Sequence, residues 1–128
     1  DGANLLARST PIAFSISGKN WVNNHAHVLK FQNMFTQKYI EYYINMIDVS
    51  QYVSGGAQPK LNQENLNKIL IPIPPLSEQQ RIVSILDKFE TLVNDLSQGL
   101  PAEIAAVQEQ YEYYRNKLLS FPKNKVSA

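Results

Sequence analysis

The chain has 128 residues, no cysteine, 44% hydrophobic residues and a formal net charge of +1, which suits one domain with a helical appendage. Without cysteine, a disulfide scaffold, a thiolate-bound zinc or iron–sulfur site and a thiol nucleophile are all excluded. The longest apolar run, 69–75, is interrupted by Pro72 and is far shorter than the roughly 18 residues of a membrane span, so we expect a soluble protein.

Charge is unevenly distributed along the chain. Residues 1–76 hold six Lys or Arg and four Asp or Glu, whereas residues 77–120 hold four Lys or Arg and seven Asp or Glu. The first part is therefore mildly basic and the second is acidic. This balance is compatible with DNA binding but does not indicate it alone, because a DNA-binding surface usually carries a clear basic face.

The first part of the chain predicts short strands mixed with helix. Runs that contain β-branched and aromatic residues indicate strands at 13–17 and 26–31, with a turn at 17–20 between them. Apolar residues of 34–47 recur at spacings of three and four, which predicts a largely buried helix. A loop at 54–59, a short helical turn capped by Asn62, and an edge strand at 69–73 complete this part.

From Ser77 onward, almost every apolar residue follows helical spacing. Ser77 and Gln80 come directly after two prolines and predict a capping box at the start of a helix. We call the apolar series that follows the apolar seam. It consists of Ile82, Leu86, Phe89, Val93, Leu96, Leu100, Ile104, Val107, Tyr111, Tyr114, Leu118 and Phe121.

The apolar seam has one interruption. Its steps of three and four are typical of a coiled coil, and the extra step of four between Leu96 and Ile104 is typical of a stutter. Gly99 and Pro101 lie in that interruption, and a proline inside a helix removes a backbone hydrogen bond. We therefore expect a break or sharp kink between two helices. Their expected ranges are 78–97 and 102–120.

These patterns predict an α+β fold in which a small mixed head at 1–76 precedes a kinked or broken helical arm at 77–121 and a tail at 122–128. A lone amphipathic arm leaves its apolar residues in water, so we expect the seam to mediate self-association or to bind a partner subunit. Two residues of the seam, Tyr111 and Tyr114, could alternatively stack on bases. The expected interface residues are Ile82, Leu86, Phe89, Val93, Leu96, Ile104, Val107, Tyr111, Tyr114 and Leu118.

Few residues point to catalysis or metal binding. His25 and His27 would lie on one face of a strand, as a metal pair requires, but no third ligand is near in sequence and hydrogen bonding within the fold is the more common role. Gly55 and Gly56 lack the lysine and the following helix of a phosphate-binding loop. The acidic residues after Ser77 are spaced as on a solvated helix face. We therefore predict no catalytic residue, no metal site and no cofactor.

Several segments resemble one known family. Segment 61–89 contains Leu61-Asn62, then Ile71-Pro72-Ile73-Pro74-Pro75-Leu76, then Glu78-Gln79-Gln80-Arg81-Ile82. This series closely resembles the end of a target recognition domain and the start of a spacer helix in the specificity subunits of type I restriction-modification systems. Segments 99–104 and 110–119 are similar to the rest of that spacer. Segments 21–29 and 54–58 are similar, less closely, to the distal half of such a domain.

The resemblance implies a non-catalytic, cytoplasmic protein that recognises double-stranded DNA. In that family, two recognition domains separated by antiparallel spacer helices each read half of a split site. Separate modification subunits bind S-adenosylmethionine and methylate adenine, and a motor subunit cleaves DNA. The expected partners are therefore DNA, the modification subunits and the motor subunit, with S-adenosylmethionine bound only by the modification subunit. The head lacks the familiar N-terminal part of a recognition domain, so we expect a partial domain.

Two other hypotheses remain open: a helical scaffold or dimerisation module without DNA-binding activity, and a methyltransferase fragment, for which the sequence shows no trace of a cofactor pocket. Polar loop residues would favour DNA recognition over a scaffold, because Gln and Asn can read adenine edges and Lys can hold phosphates. An ordinary polar loop role is equally compatible with each residue. The DNA-contact candidates are Gln58, Lys60, Lys19, Asn23 and Asn24.

Overall fold

The computed structural model describes residues 3–22, 26–96 and 100–120, and the chain divides into two compact units, 1–71 and 72–128. None of the helices in these described ranges is long and apolar enough to cross a membrane. A 3-10 turn occupies Ser50–Tyr52. The α-helices of the described residues are α1 (Asn4–Ala7), α2 (Met34–Met46), α3 (Gln63–Leu66), α4 (Leu76–Asp95) and α5 (Pro101–Leu119).

The first unit is organised around α2, which confirms the predicted helix. Asn33 precedes it, and the side-chain oxygen of Asn33 accepts a hydrogen bond from the backbone N–H of Phe35 at 2.8 Å, as a helix N-cap does. Tyr39 is fully buried and Tyr42 is 5% exposed. Met34, however, is 75% exposed. The other side chains of the helix are partly buried or exposed, so the helix is less buried than predicted.

The predicted strands, and with them the α+β class, are wrong. The described residues contain no strand, and segments 13–17, 26–31 and 69–73 run without sheet pairing. Ser54 and Lys60 form an isolated antiparallel bridge. The composition of these segments suits strands, but strand propensity takes effect only when neighbouring strands exchange backbone hydrogen bonds. The head is therefore a set of helices joined by irregular segments, as far as the structure describes it.

Arg8 and Asn45 hold the segment that precedes α2 against the end of that helix. The Arg8 guanidinium donates hydrogen bonds to the backbone carbonyl oxygens of Ile47, at 2.7 Å, and of Asn45. The Asn45 side chain in turn bonds the backbone of residues 12 and 13. Because the last carbonyl groups of a helix have no partner within it, Arg8 satisfies groups that would otherwise need water.

The short helix α3 begins as the sequence predicts. The side-chain oxygen of Asn62 accepts a hydrogen bond from the backbone N–H of Asn65 at 2.8 Å, which is the geometry of an N-cap. The helix ends at Leu66, and the backbone N–H of Ile69 then donates to the Leu66 carbonyl oxygen at 3.2 Å. The predicted cap at Asn62 is confirmed.

The second unit begins with α4, which starts one residue before Ser77. The predicted capping box of Ser77 and Gln80 is wrong, because Pro75 occupies the cap position and no side chain accepts a hydrogen bond there. The side-chain amide of Gln79 instead donates to the carbonyl oxygen of Pro74 at 2.7 Å. Ser77 lies in the first turn, where its hydroxyl cannot act as the cap.

Helices α4 and α5 pack against each other. α4 ends at Asp95 and α5 begins at Pro101, in agreement with the predicted interruption of the arm, although residues 97–99 lie outside the described ranges. Proline suits the first helical position because the N–H that it lacks would have no partner there. The connection, residues 96–100, is too short to return to the start of α4, so the two helices form an antiparallel hairpin.

Candidate nucleic-acid interface

The loop at 54–60 presents two of the predicted DNA-contact residues together. The backbone N–H of Ser54 donates to the Lys60 carbonyl oxygen at 2.9 Å, and the Lys60 N–H donates to the Ser54 oxygen at 2.7 Å. Inside this closure, the Gln58 N–H donates to the carbonyl oxygen of Gly55 at 2.9 Å. The side chains of Gln58 and Lys60 are both exposed, so the closed loop offers an amide and an ammonium group to solvent.

Gly55 is required for the shape of this loop. Its φ of 97° lies in the region that favours glycine. A Cβ added at Gly55 would also lie 2.3 Å from the carbonyl oxygen of Gln58, which is closer than any stable contact. A side chain at Gly55 would therefore open the loop and displace Gln58.

His27 connects the segment before α2 to the end of the same loop. Its ring Nε2 lies 2.6 Å from the carbonyl oxygen of Leu61, so Nε2 carries the proton and donates, because a carbonyl oxygen only accepts. His27 thus makes a hydrogen bond within the fold, the alternative to metal binding considered from the sequence. His25 lies outside the described residues. Within the described ranges, no three His, Asp or Glu residues cluster as a metal site would require.

Lys19 lies in a separate bend. Gly18 has a φ of 72°, and the side-chain amide of Asn20 donates to the carbonyl oxygen of Ser17 at 2.8 Å, which stabilises the predicted turn as an ordered bend. The Lys19 side chain is exposed. Asn23 and Asn24, the other two candidates, lie outside the described residues. No hydrogen bond between described residues joins this bend to the 54–60 loop.

Exposure divides the predicted interface residues into two sets. Ile82 is 1% exposed and Leu86 is fully buried, so other residues of this chain already cover both side chains. At the end of α5, Leu119 is 1% exposed, whereas its neighbour Leu118, predicted from the spacing, is only partly buried. Other predicted residues also remain partly exposed and stay interface candidates. They are Phe89, Val93, Leu96, Ile104, Val107, Tyr111 and Tyr114.

Aromatic rings join the middle of the hairpin. The ring of Phe89 on α4 stacks on Tyr114 with centroids 5.4 Å apart, and it meets Tyr111 edge-on at 6.2 Å. Packing between α4 and α5 therefore involves both tyrosines. Tyr114 is still 38% exposed, so one part of its surface remains accessible.

Residues that the spacing argument missed hold the head together. Arg8 and Asn45 make long-range hydrogen bonds across more than 30 positions of sequence, and no local pattern marks such partners.

Trp21 is 99% exposed, although tryptophan is usually well covered. In the sequence, the feature that could have singled out Trp21 is its position beside the predicted turn that contains Lys19.

Comparison with known proteins gives a consistent family assignment. The family model described as the type I restriction modification DNA specificity domain matches residues 5–106. A protein of Haemophilus influenzae that carries the name of a type I restriction enzyme specificity subunit is 44% identical over 108 residues, which cover 84% of this chain and 26% of that protein.

Two further relatives carry the same kind of name. The EcoR124I/EcoR124II specificity subunit of Escherichia coli is 53% identical over 70 residues, which cover 55% of this chain and 17% of that subunit. The MpnII specificity subunit of Mycoplasma pneumoniae is 34% identical over 112 residues, or 86% of this chain and 34% of that subunit. The chain thus spans between about a sixth and a third of these relatives. No solved structure matches it significantly.

Proposed function

The chain belongs to the type I restriction-modification DNA specificity domain family, as its resemblance implied, and from this premise we propose that it recognises DNA sequence for a restriction-modification complex. The observation that carries the proposal is the family match over residues 5–106 together with the exposed polar loop at 54–60. In this function the chain is non-catalytic and directs the adenine methylation and cleavage that partner subunits perform.

The 54–60 loop supports the division of DNA contacts between bases and backbone. An exposed glutamine amide can make two hydrogen bonds to the edge of adenine in the major groove, whereas a lysine ammonium attracts any phosphate. The backbone closure between Ser54 and Lys60 fixes the distance between the two ends of the loop. We therefore assign base reading to Gln58 and phosphate binding to Lys60.

The α4–α5 hairpin has a different role. Seven acidic and four basic residues lie between residues 77 and 120, and Arg81 is already paired with Glu78 on α4. Such a surface repels phosphates, so the hairpin serves as a spacer and as a binding surface for other subunits rather than as a DNA contact. The proposed partners are modification subunits, which would bind S-adenosylmethionine, and a motor subunit that cleaves.

The test begins with selection of duplexes that the 128-residue chain retains from a random pool. Affinity is then measured by fluorescence anisotropy, at one fixed salt concentration, for a selected duplex and for its scrambled counterpart. Gln58→Ala should weaken binding to the selected duplex by about 1–3 kcal/mol and leave the scrambled duplex nearly unaffected. Lys60→Ala should weaken both equally and reduce the salt dependence. Gln51→Ala, another exposed glutamine in the head, is the matched control.

Each outcome bears on the proposal. Equal losses on both duplexes with Gln58→Ala would make Gln58 a positioning residue and remove it from base reading. If the chain retains no duplex at low salt, and does not bind DNA when a modification subunit is added, DNA recognition by this chain is refuted in favour of a helical scaffold. Gly55→Ala separates loop shape from side-chain chemistry, because it keeps Gln58 and Lys60 but should disturb both duplex affinities.

A further inference from the structure

Trp21 is an unusual side chain in this structure. It is the single tryptophan of the chain, and 99% of its surface is exposed. Burying a side chain of this size contributes several kcal/mol in general, so full exposure forgoes one of the largest stabilising contributions open to the chain. Nearby apolar residues are exposed as well: Phe14 is 75% exposed and Val28 is 63% exposed.

The segment around Trp21 carries positive charge and contains no acid of its own. Residues 2–40 contain no Asp or Glu and hold Arg8, Lys19, Lys30 and Lys38. Arg8 is engaged with backbone carbonyl groups and Lys38 is paired with Glu41. Lys19 and Lys30 remain exposed, and no described acid pairs with either of them.

The bend at 17–20 sets Lys19 two residues before Trp21. Gly18 allows the bend through its φ of 72°, and the Asn20 side chain holds it closed through its bonds to the carbonyl oxygens of Ser17 and Gly18, at 2.8 Å and 3.3 Å. The bend thereby places an exposed ammonium group and an exposed indole ring two positions apart, in a segment whose own residues include no acid.

We propose that Trp21 is a DNA-contacting residue, whose indole ring packs on bases or sugars while Lys19 binds the adjacent phosphate. This inference rests on the proposed function and extends it to a residue outside the 54–60 loop. DNA is the occupant that the charges favour, since a polyanion complements a basic segment that contains no acid of its own, and an exposed aromatic ring can pack in a groove of the duplex. A protein surface would need to supply acids to match the same segment.

The test uses the fluorescence of Trp21 itself, because no other tryptophan contributes to the emission. The full chain is titrated with duplexes of random sequence at low salt, while binding is followed independently by the anisotropy of a label on the DNA. We expect the tryptophan emission to change with the same midpoint as the anisotropy. We also expect bound DNA to protect Trp21 from quenching by acrylamide.

Three variants measure the contribution of the bend. Trp21→Ala should weaken binding by about tenfold, because the packing of the ring on the DNA is lost, and Trp21→Phe should retain most of the affinity. Lys19→Ala should lower the salt dependence of binding by about one phosphate contact. Lys68→Ala, an exposed lysine elsewhere in the head, is the control for nonspecific charge loss. Circular dichroism checks that every variant keeps the parental helix content.

The outcomes separate this inference from the proposed function. If the anisotropy reports binding but neither the emission nor the quenching of Trp21 changes, the inference is wrong and DNA recognition stands. If Trp21 becomes protected when the chain alone is concentrated, the bend is a contact between copies of the protein and the inference is also wrong. If no DNA binds at low salt, even with a modification subunit present, both are refuted.

Discussion

The side-chain amide of Asn45 pairs with the backbone of Ala13 in both directions. Its oxygen accepts the Ala13 N–H at 2.9 Å, and its nitrogen donates to the Ala13 carbonyl oxygen at 2.8 Å. The same oxygen accepts the Ile12 N–H at 3.0 Å. A helix side chain thus supplies the partners that a neighbouring strand would supply in a sheet, and it fixes the start of the segment that leads to the 17–20 bend.

Replacing Asn45 with alanine should free this segment. Three hydrogen bonds are lost, each with a net worth of about 0.5–1.5 kcal/mol, so we expect the first unit to lose roughly 2–3 kcal/mol of stability. Hydrogen exchange measured by NMR should show the amides of Ile12 and Ala13 losing protection. Asn94→Ala, at an exposed position of α4, should leave these amides unchanged.

Asn45→Asp refines this prediction. The aspartate oxygen can still accept both N–H groups, but the donor to the Ala13 carbonyl oxygen is gone. The amides of Ile12 and Ala13 should therefore stay protected while the overall stability of the unit falls. Full protection and unchanged stability in both variants would show that the pairing contributes nothing.

The contrast between α2 and the segment at 13–17 shows which structural features can be predicted from local sequence and which cannot. The spacing of apolar residues is a local feature, and it predicts a helix at 34–47, which agrees almost to the residue with the helix Met34–Met46 of the structure. The hydrogen-bond partner of Ala13 lies 32 positions away, and the choice between a strand and Asn45 depends on tertiary contacts that propensity does not encode. The strand prediction failed for this reason.

The same distinction applies to the candidate interfaces. The closed loop at 54–60 follows from local turn chemistry, since glycine permits the positive φ of Gly55. Burial of Leu86 does not follow from spacing, because an apolar seam can pack on another chain or on the other half of the same hairpin. Spacing also selects Leu118 and misses its buried neighbour Leu119. The family resemblance predicts more than the local patterns of single segments do, since the motifs at 61–89 identified the family correctly.

The buried hydroxyl of Tyr39 should make the head sensitive to alkaline pH. Burial raises the pKa of Tyr39 far above its ordinary 10.0, and the neighbouring Tyr43 raises it further. Because the pKa of Tyr39 is higher in the folded protein than in the unfolded chain, its contribution to the free energy of unfolding is fully present below pH 10. That contribution is lost as the pH rises above 10. The loss should reach up to about 1.4 kcal/mol for each pH unit.

Urea unfolding between pH 8 and about pH 11 tests this dependence. Tyr39→Phe should show a shallower loss of the free energy of unfolding than the parent protein above pH 10. Tyr113→Phe, which changes a tyrosine that is 59% exposed, should keep the parental slope. If the two variants have the same slope, Tyr39 does not control the alkaline transition.

Two seam positions should respond differently to a buried charge. Leu86 is fully buried, so Leu86→Asp should unfold the hairpin whether or not a partner is present. Val93 is only partly buried, and Val93→Asp should leave the helix content unchanged while weakening self-association or the capture of a modification subunit. Sedimentation velocity with circular dichroism measures both effects. Unchanged sedimentation and unchanged capture with Val93→Asp would remove this part of the seam from the interface.

The ring of Phe89 should be the main contact that holds the middle of the hairpin closed. It stacks on Tyr114 at an interplanar angle of 22° and meets Tyr111 at 75°, two arrangements that aromatic rings favour. Phe89→Ala removes both contacts and should lower the stability of the hairpin by about 2–3 kcal/mol, below the range for fully buried phenylalanine, because the side chain is only partly buried.

Phe89→Leu separates ring geometry from apolar burial, since leucine keeps most of the apolar surface but has no ring to stack. We expect it to recover more than half of the loss seen with alanine, because paired rings add only about 0.5–1.5 kcal/mol beyond their burial. Tyr113→Ala is the matched control: its ring contacts Tyr114 edge-on at 5.2 Å but is mostly exposed. Hydrogen exchange of the α5 amides reports the opening of the hairpin, and equal protection in Phe89→Ala and Tyr113→Ala would show that Phe89 has no special role in closing it.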